Sequence, residues 1–454
     1  MLEAVLARFE VQAPVSVMAR VALERALEPR WIDEVFEAHR QRQYPRELLF
    51  STVVELMSLV SLGLRPTLHA AAKKSENLTV SVTALYDKVN RTEPAILRAL
   101  VQGSAQRLAP VVDAMATTTP SLPGWRLRVL DGNHLPASQK RLGPLREHRG
   151  AALPGHTLVV YDPDSTLVTD IVACEDAHAQ ERSMMAPLLA CAQAGELWIA
   201  DRNFCTHTIL QGWQDAQASF IVREHAKHPR LLQEGPSMAC GRVETGEVHE
   251  QAIGVDAPQA PWRRIELRLD TPTEAGDSVI RLWSNLPGEV SAGKIAELYR
   301  RRWRIEGMFQ RLEAVLHSEI RSLGHPRATL LGFAVAVLAY NVLSVLKRGV
   351  ETAHHDSVPQ IDVSPYYLAL DIRSAYEGML IALPAPTWAP WASAEPTLIA
   401  QRLLDLARRI DPKRLRTHKR GPKINKPKTY VDAATARAHV STARVIKQVR
   451  VKRP

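Results

Sequence analysis

Two short segments, WRLRVLDGNHL (residues 125–135) and LWIADRNFCT (residues 197–206), determine the fold that this sequence predicts. In each, a run with the apolar pattern of a β-strand ends at an aspartate, Asp131 or Asp201. Ligands in open α/β sheets bind beyond the carboxyl ends of strands, so both aspartates are candidate site residues. Aspartate is also a preferred turn residue, and turn capping is the alternative explanation for either one alone.

Further strands and helices alternate around these two segments, which predicts a mixed α/β core. Residues 227–289 contain many glycines, prolines and alternating segments, and they predict a β-rich insertion. A long helix is expected to begin after an N-cap at Ser291 and to continue to Leu316. The remaining predicted elements of the core are a hairpin at 156–174, a helix at 181–193, a helix at 206–216 and a strand at 219–224.

The regions that flank the core are predicted from local patterns. Helices are expected at 48–64, 68–75, 79–91 and 95–108, and their spacing fits either a DNA-binding helix-turn-helix or simple three-helix packing. Residues 330–346 are apolar, but 17 residues are fewer than a membrane crossing needs, so a buried core helix is predicted. The proline- and tryptophan-containing residues 359–400 are expected to be irregular, with a short helix at 401–409.

The positive charge of the chain is concentrated at its C-terminus. The net charge is +10, from 58 Lys and Arg against 48 Asp and Glu. Residues 411–454 alone hold 14 Lys and Arg and two acids, so the rest of the chain sums to −2. A basic tail of this kind suits a polyanion such as nucleic acid, and the alternative is a solvated end without a specific partner.

Composition excludes several classes of protein. With 46% hydrophobic and 23% charged residues, the chain is neither collagenous nor disordered throughout. Its four cysteines form no CxxC pair, which disfavours a disulfide scaffold or a structural zinc site and fits the reducing cytoplasm. The acidic opening Met1-Leu-Glu-Ala-Val lacks the features of a signal peptide, and no membrane association is expected.

The segment YRRRWRIEGMFQRLE (residues 299–313) is the strongest local signal. At 3.6 residues per turn, Tyr299, Arg302 and Glu306 share one helix face. Four arginines in the five residues 300–304 have two explanations. They either form ion pairs on a solvated helix, or they surround a metal-binding glutamate and bind a phosphate backbone.

Together, LDGNHL, IADRNFCT and the segment at 299–313 resemble the IS4 family of DDE transposases. The family's Y-x2-R-x3-E motif falls on Tyr299, Arg302 and Glu306, and its two aspartates fall on Asp131 and Asp201, which precede Glu306 by 175 and 105 residues. The resemblance implies an RNase H-like core with a β-rich insertion between the second Asp and the Glu. The expected segments are a helical, DNA-binding region (1–118), the first part of the core (119–226), the insertion (227–289), the core helices (290–350) and a C-terminal helical or irregular region that carries the basic tail (351–454).

The resemblance also implies the chemistry and the partners. Asp131, Asp201 and Glu306 would be catalytic and would hold two Mg²⁺ ions, with Mn²⁺ as a substitute, for DNA strand cleavage and strand transfer. The expected partners are terminal inverted repeats, target DNA and a second copy of the chain, in the bacterial cytoplasm at the nucleoid. His134 is a poorer ligand candidate, because hard cations prefer oxygen.

Several other residues are expected to contact DNA. Tyr299, Arg302, Arg202 and Asn203 are candidates for binding phosphate near the cut, and Trp283 for stacking on an extruded base, although a tryptophan there is more often part of the core. The predicted tail contacts, which carry no sequence information, are Lys413, Arg414, Arg416, Lys419 and Arg420.

One position departs from the family pattern. The family has a lysine seven residues after the glutamate, whereas this chain has Glu313 there and Arg311 close by. Two alternatives to an active transposase therefore stay open. One is a descendant that binds DNA ends without cutting them, and the other is an unrelated metal nuclease on an RNase H-like core.

Overall fold

A mixed β-sheet covered by helices forms the centre of the protein. The computed structural model describes residues 2–41, 43, 47–75, 78–115, 119–227, 229–255, 262–273, 276–317, 322–358, 361–417 and 439–452. Within these ranges ten strands form one sheet with the order β4-β3-β1-β5-β6-β11-β10-β9-β7, and β8 pairs with β9. The strands are β1 (Arg126–His134), β2 (Ala151–Leu153), β3 (His156–Asp162), β4 (Leu167–Cys174), β5 (Glu196–Ala200), β6 (Ser219–Arg223), β7 (Leu231–Glu234), β8 (Met238–Val243), β9 (Gly246–Val255), β10 (Trp262–Leu269), β11 (Val279–Ser284) and β12 (His439–Ser441).

The three central strands of the sheet are parallel. β1 pairs with β5 and β5 pairs with β6 in parallel, whereas β3, β4 and β11 join antiparallel. The predicted strands and hairpin are therefore confirmed, with one correction. β1 does not end at Asp131 but continues to His134, because its antiparallel pairing with β3 extends to His134 opposite His156.

The strands of residues 227–289 continue the core sheet. β11 pairs with β6, so Trp283 lies opposite Val222, and β10, β9 and β7 follow outward. The alternating sequence around Arg263 and Ser278 correctly predicted β10 and β11.

Helices precede, interrupt and follow the sheet. Local caps fix several of them: the side chains of Thr67, Ser81 and Ser291 accept hydrogen bonds from Ala70, Ala84 and Lys294 backbone N–H groups. The helices are α1 (Leu2–Gln12), α2 (Pro14–Ala26), α3 (Pro29–His39), α4 (Phe50–Ser61), α5 (Leu68–Lys74), α6 (Val82–Arg91), α7 (Pro94–Ala114), α8 (Ala186–Leu189), α9 (His207–Asp215), α10 (Ala292–Arg300), α11 (Trp303–Leu316), α12 (Pro326–Ala353), α13 (Pro365–Ala382), α14 (Pro390–Ser393), α15 (Pro396–Ala407) and α16 (Thr442–Lys452).

The apolar helix α12 is the main support of the core, as predicted. Its length and composition would suit a membrane crossing, but its whole apolar window is buried inside the protein. α2, α4, α7 and α15 pack around it, and its buried Asn341 side chain bonds both the N–H and the C=O of Val168 in β4, at 2.8 and 2.9 Å. This buried amide thus anchors α12 to the sheet.

Three local predictions were wrong. The helix expected at 181–193 is only a 3-10 turn and the four-residue α8. The irregular stretch expected at 359–400 is largely helical, because Pro365, Pro390 and Pro396 each stand in the first turn of a helix, where the missing N–H costs nothing. The long helix after Ser291 divides into α10 and α11, since the residues between them form i→i−3 bonds that tighten one turn.

The end of the chain returns to the core. β12 pairs in parallel with β2, and Val445 of α16 packs on Leu145 and Ala152. Arg444 also forms an ion pair with Asp176 at 2.7 Å. The helix α16 is short and basic in composition.

Candidate active site

Strand register brings Asp131 and Asp201 to the same place. Val129 of β1 lies opposite Ile199 of β5, and the two aspartates follow two residues later on each strand. Because side chains alternate between the faces of a sheet, both aspartates share the face of Val129 and Ile199. That face packs on the helices, including α11.

Glu306 reaches the aspartates from α11, and Arg302 links it to them. The Arg302 Nη1 atom donates to Asp131 Oδ2 at 2.9 Å, and Nη2 donates to Glu306 Oε1 at 3.1 Å. Asp201 also interacts electrostatically with this guanidinium. Arg302 therefore bridges two carboxylates from distant parts of the sequence, and the charge of Asp201 acts on it as well.

Tyr299 is the buried neighbour of this arginine. It is 6% exposed, and its hydroxyl is in hydrogen-bonding contact with Arg302. Burial raises the pKa of Tyr299, although Arg302 and Arg223 oppose the shift, so the phenol stays neutral. The expected contact of Tyr299 with a DNA phosphate is not what this structure shows: the side chain is buried and positions Arg302.

Asp131 has an unusual protonation equilibrium. Burial raises the pKa of Asp131 to about 6, Arg302 opposes the shift, and Asp201 and Glu181 add to it. A nearby cation stabilises the ionised form of such a buried carboxylate, because the cation compensates for the lost hydration.

The donor set suits a hard divalent cation. Carboxylate oxygens are the ligands that Mg²⁺ prefers, and the guanidinium of Arg302 shows that the gap between Asp131 and Glu306 accepts positive charge. In the described ranges no three acidic, histidine or cysteine side chains stand at a common ligand distance. The carboxylates are thus gathered around Arg302 rather than around a shared metal position.

The residues that follow Asp201 form a capped turn. Asp201 Oδ1 accepts the Asn203 backbone N–H at 2.8 Å, so the turn-capping explanation holds for Asp201 as well. Arg202 is exposed, and its charge contributes to the lowered pKa of Asp277. Phosphate binding by Arg202 stays a prediction. The Asn203 side chain is engaged elsewhere, because its Nδ2 donates to Glu181 Oε2 at 2.6 Å.

Sequence reasoning missed Glu181 and Trp303. Glu181 lies in a segment predicted as an ordinary helix, yet its carboxylate touches the site. Trp303 follows Arg302, is 59% exposed, and its ring lies 5.3 Å from the guanidinium. The sequence shows a tryptophan within the arginine run, but its exposure is known only from the structure.

The structure corrects the expectation for Trp283. This side chain is 1% exposed and packs among Phe220, Trp262 and neighbouring apolar residues. Its position on β11 places it among these apolar side chains, so it belongs to the core rather than to a base-stacking surface.

The arginine run pairs with groups outside its own helices. Arg300 contacts Glu244 at 2.9 Å, Arg301 lies 3.7 Å from Asp164, and Arg304 donates to the Pro163 carbonyl. The pair of Arg302 with Glu306 is of the i,i+4 type expected on a solvated helix, whereas the other three arginines connect α10 and α11 to loops between strands. Phosphate binding by this run stays a prediction.

A groove of about 980 Å³ lies next to Trp303. Six lysines and arginines and five acids line it, so its charge is nearly balanced. Arg311 is among the lining residues, whereas Glu313 lies exposed on the same helix. Whether Arg311 replaces the lysine of the family pattern stays a prediction.

Part of the basic tail can be placed. Lys413, Arg414 and Arg416 are exposed on a 3-10 turn whose Leu415 is buried. Lys419 and Arg420 lie outside the described residues.

The comparisons with known proteins agree on one class. The family model described as the transposase DDE domain matches residues 126–342. The transposase of insertion sequence element IS421 from Escherichia coli is 26% identical over 281 residues, which is 51% of this chain and 70% of that protein. InsL of insertion sequence element IS186A, from Escherichia coli strain K12, matches with the same identity and coverage.

One solved structure is similar only at a low level. A chain of the piggyBac transposase synaptic complex with hairpin DNA matches over 82% of each chain, at 10% identity and a TM-score of 0.35, too low to bear on the fold. The sequence matches stand without it, and the matched range contains Asp131, Asp201 and Glu306. Over residues 126–342 the chain is therefore similar to the transposase DDE domain, and over about half of its length it is similar to insertion-sequence transposases.

Proposed function

We propose that this protein is a cut-and-paste transposase with an RNase H-like core, similar to the IS4 family, that binds terminal inverted repeats and cleaves and joins DNA strands. The observation that carries the proposal is that Arg302 bridges Asp131 and Glu306, while the pairing of β1 with β5 brings Asp201 to the side of Asp131. Strands β1 and β5 and helix α11 supply these groups from one face of the sheet. The DDE domain match over the same residues supports the assignment.

Each carboxylate has a proposed role. Asp131 would be shared by two Mg²⁺ or Mn²⁺ ions, with Asp201 completing one site and Glu306 the other. When bound, such ions activate the attacking oxygen and stabilise the leaving oxygen of a phosphodiester. The exposure of Glu306, whose side chain is 40% accessible, leaves this side open to DNA.

Arg302 is proposed to exchange partners during the reaction. Its guanidinium binds two carboxylates here, and the same planar donors match a phosphate. Buried Tyr299 holds the arginine in place, and exposed Arg202 and Trp303 add a second cation and an aromatic surface beside it. Two DNA ends must be brought together, so we propose a homodimer on DNA.

A DNA cleavage assay tests the proposal. The full chain with Mg²⁺ should cut a labelled duplex that carries the ends of the DNA segment encoding it, and should leave a scrambled-end duplex intact. Asp131→Ala, Asp201→Ala and Glu306→Ala should each lower the cleavage rate by about a thousandfold or more, while end binding stays within several-fold. Glu297→Ala, which removes a 55% exposed carboxylate of α10, is the matched control and should cut normally.

The other outcomes identify the alternatives. Binding of intact ends without cleavage would indicate the non-cutting descendant, which the exposed Glu313 at the family's lysine position favours. Equal cleavage of both duplexes would indicate a general nuclease. Normal cleavage by any one of the three alanine variants would remove that residue from the site.

A further inference from the structure

Glu181 approaches the residues that follow Asp131 and Asp201 in the sequence. Its Oε2 atom accepts a hydrogen bond from Asn203 Nδ2 at 2.6 Å, and Asn203 in turn donates its backbone N–H to Asp201 Oδ1 at 2.8 Å. The Glu181 side chain is 19% exposed. A short chain of hydrogen bonds therefore runs from Glu181 to the carboxylate of Asp201.

The other Glu181 oxygen lies against the residue that follows Asp131. A Cβ atom added to Gly132 would stand 1.8 Å from Glu181 Oε1, so this approach depends on glycine. Because Asp131 and Gly132 point to opposite faces of β1, Glu181 approaches from the face opposite to the three carboxylates. It is placed to support them rather than to join them.

We propose that Glu181 is a positioning residue of the active site, which fixes the turn carrying Asp201 through Asn203 and fixes the end of β1 through Gly132. The inference rests on the proposed function, because the group that it positions is the proposed metal-binding pair. Partners of this kind orient ligating carboxylates, and their loss typically lowers metal affinity or activity about 10- to 100-fold. Glu181 does this from a 3-10 turn between β4 and α8.

Four variants of the full chain separate positioning from general stability. Glu181→Ala removes the acceptor for Asn203, and Gly132→Ala displaces the carboxylate without changing it. Glu181→Gln keeps an oxygen that can accept the Asn203 hydrogen bond, so it should restore most of the function. Glu175→Ala is the matched control, because Glu175 is a half-buried carboxylate six residues away that pairs with Arg327 at 2.8 Å.

The first readout needs neither metal nor DNA. In the metal-free protein, amide hydrogen exchange of residues 203–205 should accelerate in Glu181→Ala and Gly132→Ala, because the capped turn loosens. It should stay close to the unmodified rate in Glu181→Gln and Glu175→Ala. Exchange that is unchanged in Glu181→Ala would overturn the proposal, as would equal acceleration in Glu175→Ala.

The second readout is the concentration of Mg²⁺ that gives half-maximal thermal stabilisation. We expect it to rise about 10- to 100-fold in Glu181→Ala and to change little in Glu181→Gln. Glu181→Ala combined with Asn203→Ala should resemble either single variant, because both act through one hydrogen bond. Additive losses, or a Glu181→Gln variant as damaged as Glu181→Ala, would overturn the route through Asn203.

The same variants in the cleavage assay distinguish the two proposals. If the unmodified chain cuts intact ends and Glu181→Ala cuts as fast as Glu175→Ala, the transposase proposal stands and the role of Glu181 is refuted. If the unmodified chain cuts nothing but the exchange and Mg²⁺ results are as expected, Glu181 positions the carboxylates and the proposed reaction fails.

Discussion

Two arginine–carboxylate clusters on opposite faces of β1 differ in how completely their acids are bonded. In the first, Arg128 contacts Glu196 at 3.0 Å and Asp162 at 3.5 Å. In the second, Arg302 contacts Asp131 and Glu306. The arginines are similarly buried, with 14% and 11% of their side chains exposed, so burial of the cation does not separate the two clusters.

The acids of the Arg128 cluster have further donors. Glu196 Oε2 accepts the Gln193 N–H at 3.1 Å and the Trp198 indole N–H at 3.3 Å. Asp162 Oδ1 accepts the backbone N–H groups of Asp164 and Ser165. With 8% of the Glu196 side chain and 19% of the Asp162 side chain exposed, this cluster is the more closed of the two.

The acids of the Arg302 cluster are open by comparison. Asp131 Oδ1 accepts the N–H of the adjacent Gly132 at 3.0 Å, and the Glu306 side chain is 40% exposed. The same residue types therefore occur in two settings, one largely covered and one partly open to solvent. In the Arg128 cluster, backbone and indole N–H groups satisfy the carboxylate oxygens, and these contacts stabilise the sheet. In the Arg302 cluster, carboxylate oxygens that face solvent remain accessible to a cation.

The largest expected difference between the clusters is in stability. Arg128→Met leaves two buried carboxylates without their cation, and we expect it to lower the free energy of unfolding by about 3–5 kcal/mol. Arg302→Met should cost less than half as much, because Glu306 can be hydrated and Asp131, with a pKa of about 6, can take up a proton. Urea unfolding at pH 7 without divalent ions measures both.

Arg30→Met provides the control, since Arg30 and Glu34 form an exposed i,i+4 pair with 85% and 62% of their side chains accessible. Its effect should stay within about 0.5 kcal/mol. Equal losses for Arg128→Met and Arg302→Met would show that the two clusters are both structural.

Those features of the fold and the site that depend on neighbouring residues could be predicted from the sequence. Apolar runs ending at Asp131 and Asp201 predicted the strands, and Ser291 predicted a helix start, because these signals lie within a few residues. The spacing of Tyr299, Arg302 and Glu306 also brought the right side chains together, although the helix is interrupted there.

The remaining features of the site depend on contacts between residues that are distant in the sequence. The pairing of β1 with β5 joins segments 70 residues apart, and it alone places Asp131 beside Asp201. The Glu181 contact with Asn203 arises because the expected helix is a single 3-10 turn, and no periodic pattern encodes that. Trp283 was misplaced for the same reason: its burial follows from packing against β6 and β10.

A smaller difference between the clusters should appear in the pH dependence of Mg²⁺ binding. Asp131 must lose its proton to bind a metal ion, and its pKa is about 6. The apparent Mg²⁺ affinity should therefore be constant above pH 7 and fall about tenfold per pH unit below 6. Thermal stabilisation by Mg²⁺, measured from pH 5 to 8, gives this dependence.

Asp162 is the comparison for this experiment, because burial also raises the pKa of Asp162. Asp162→Asn should leave the pH dependence of Mg²⁺ stabilisation in place, whereas Asp131→Asn should abolish the stabilisation. If Asp162→Asn removed the dependence instead, the closed cluster would be the metal-binding one.

The smallest expected effect separates exposed arginines from the paired Arg302. Arg416 is exposed on the basic turn, so Arg416→Gln should lower the slope of log affinity against log salt by about one for a random-sequence duplex between 50 and 200 mM NaCl. Arg302→Gln should lower the slope less, because two carboxylates already match this guanidinium without DNA. Arg268→Gln, which changes a half-exposed arginine of β10 that pairs with Glu266, should leave the slope unchanged. A slope that falls for Arg302→Gln but not for Arg416→Gln would place the sequence-independent DNA contacts at the carboxylate cluster and leave the tail without that role.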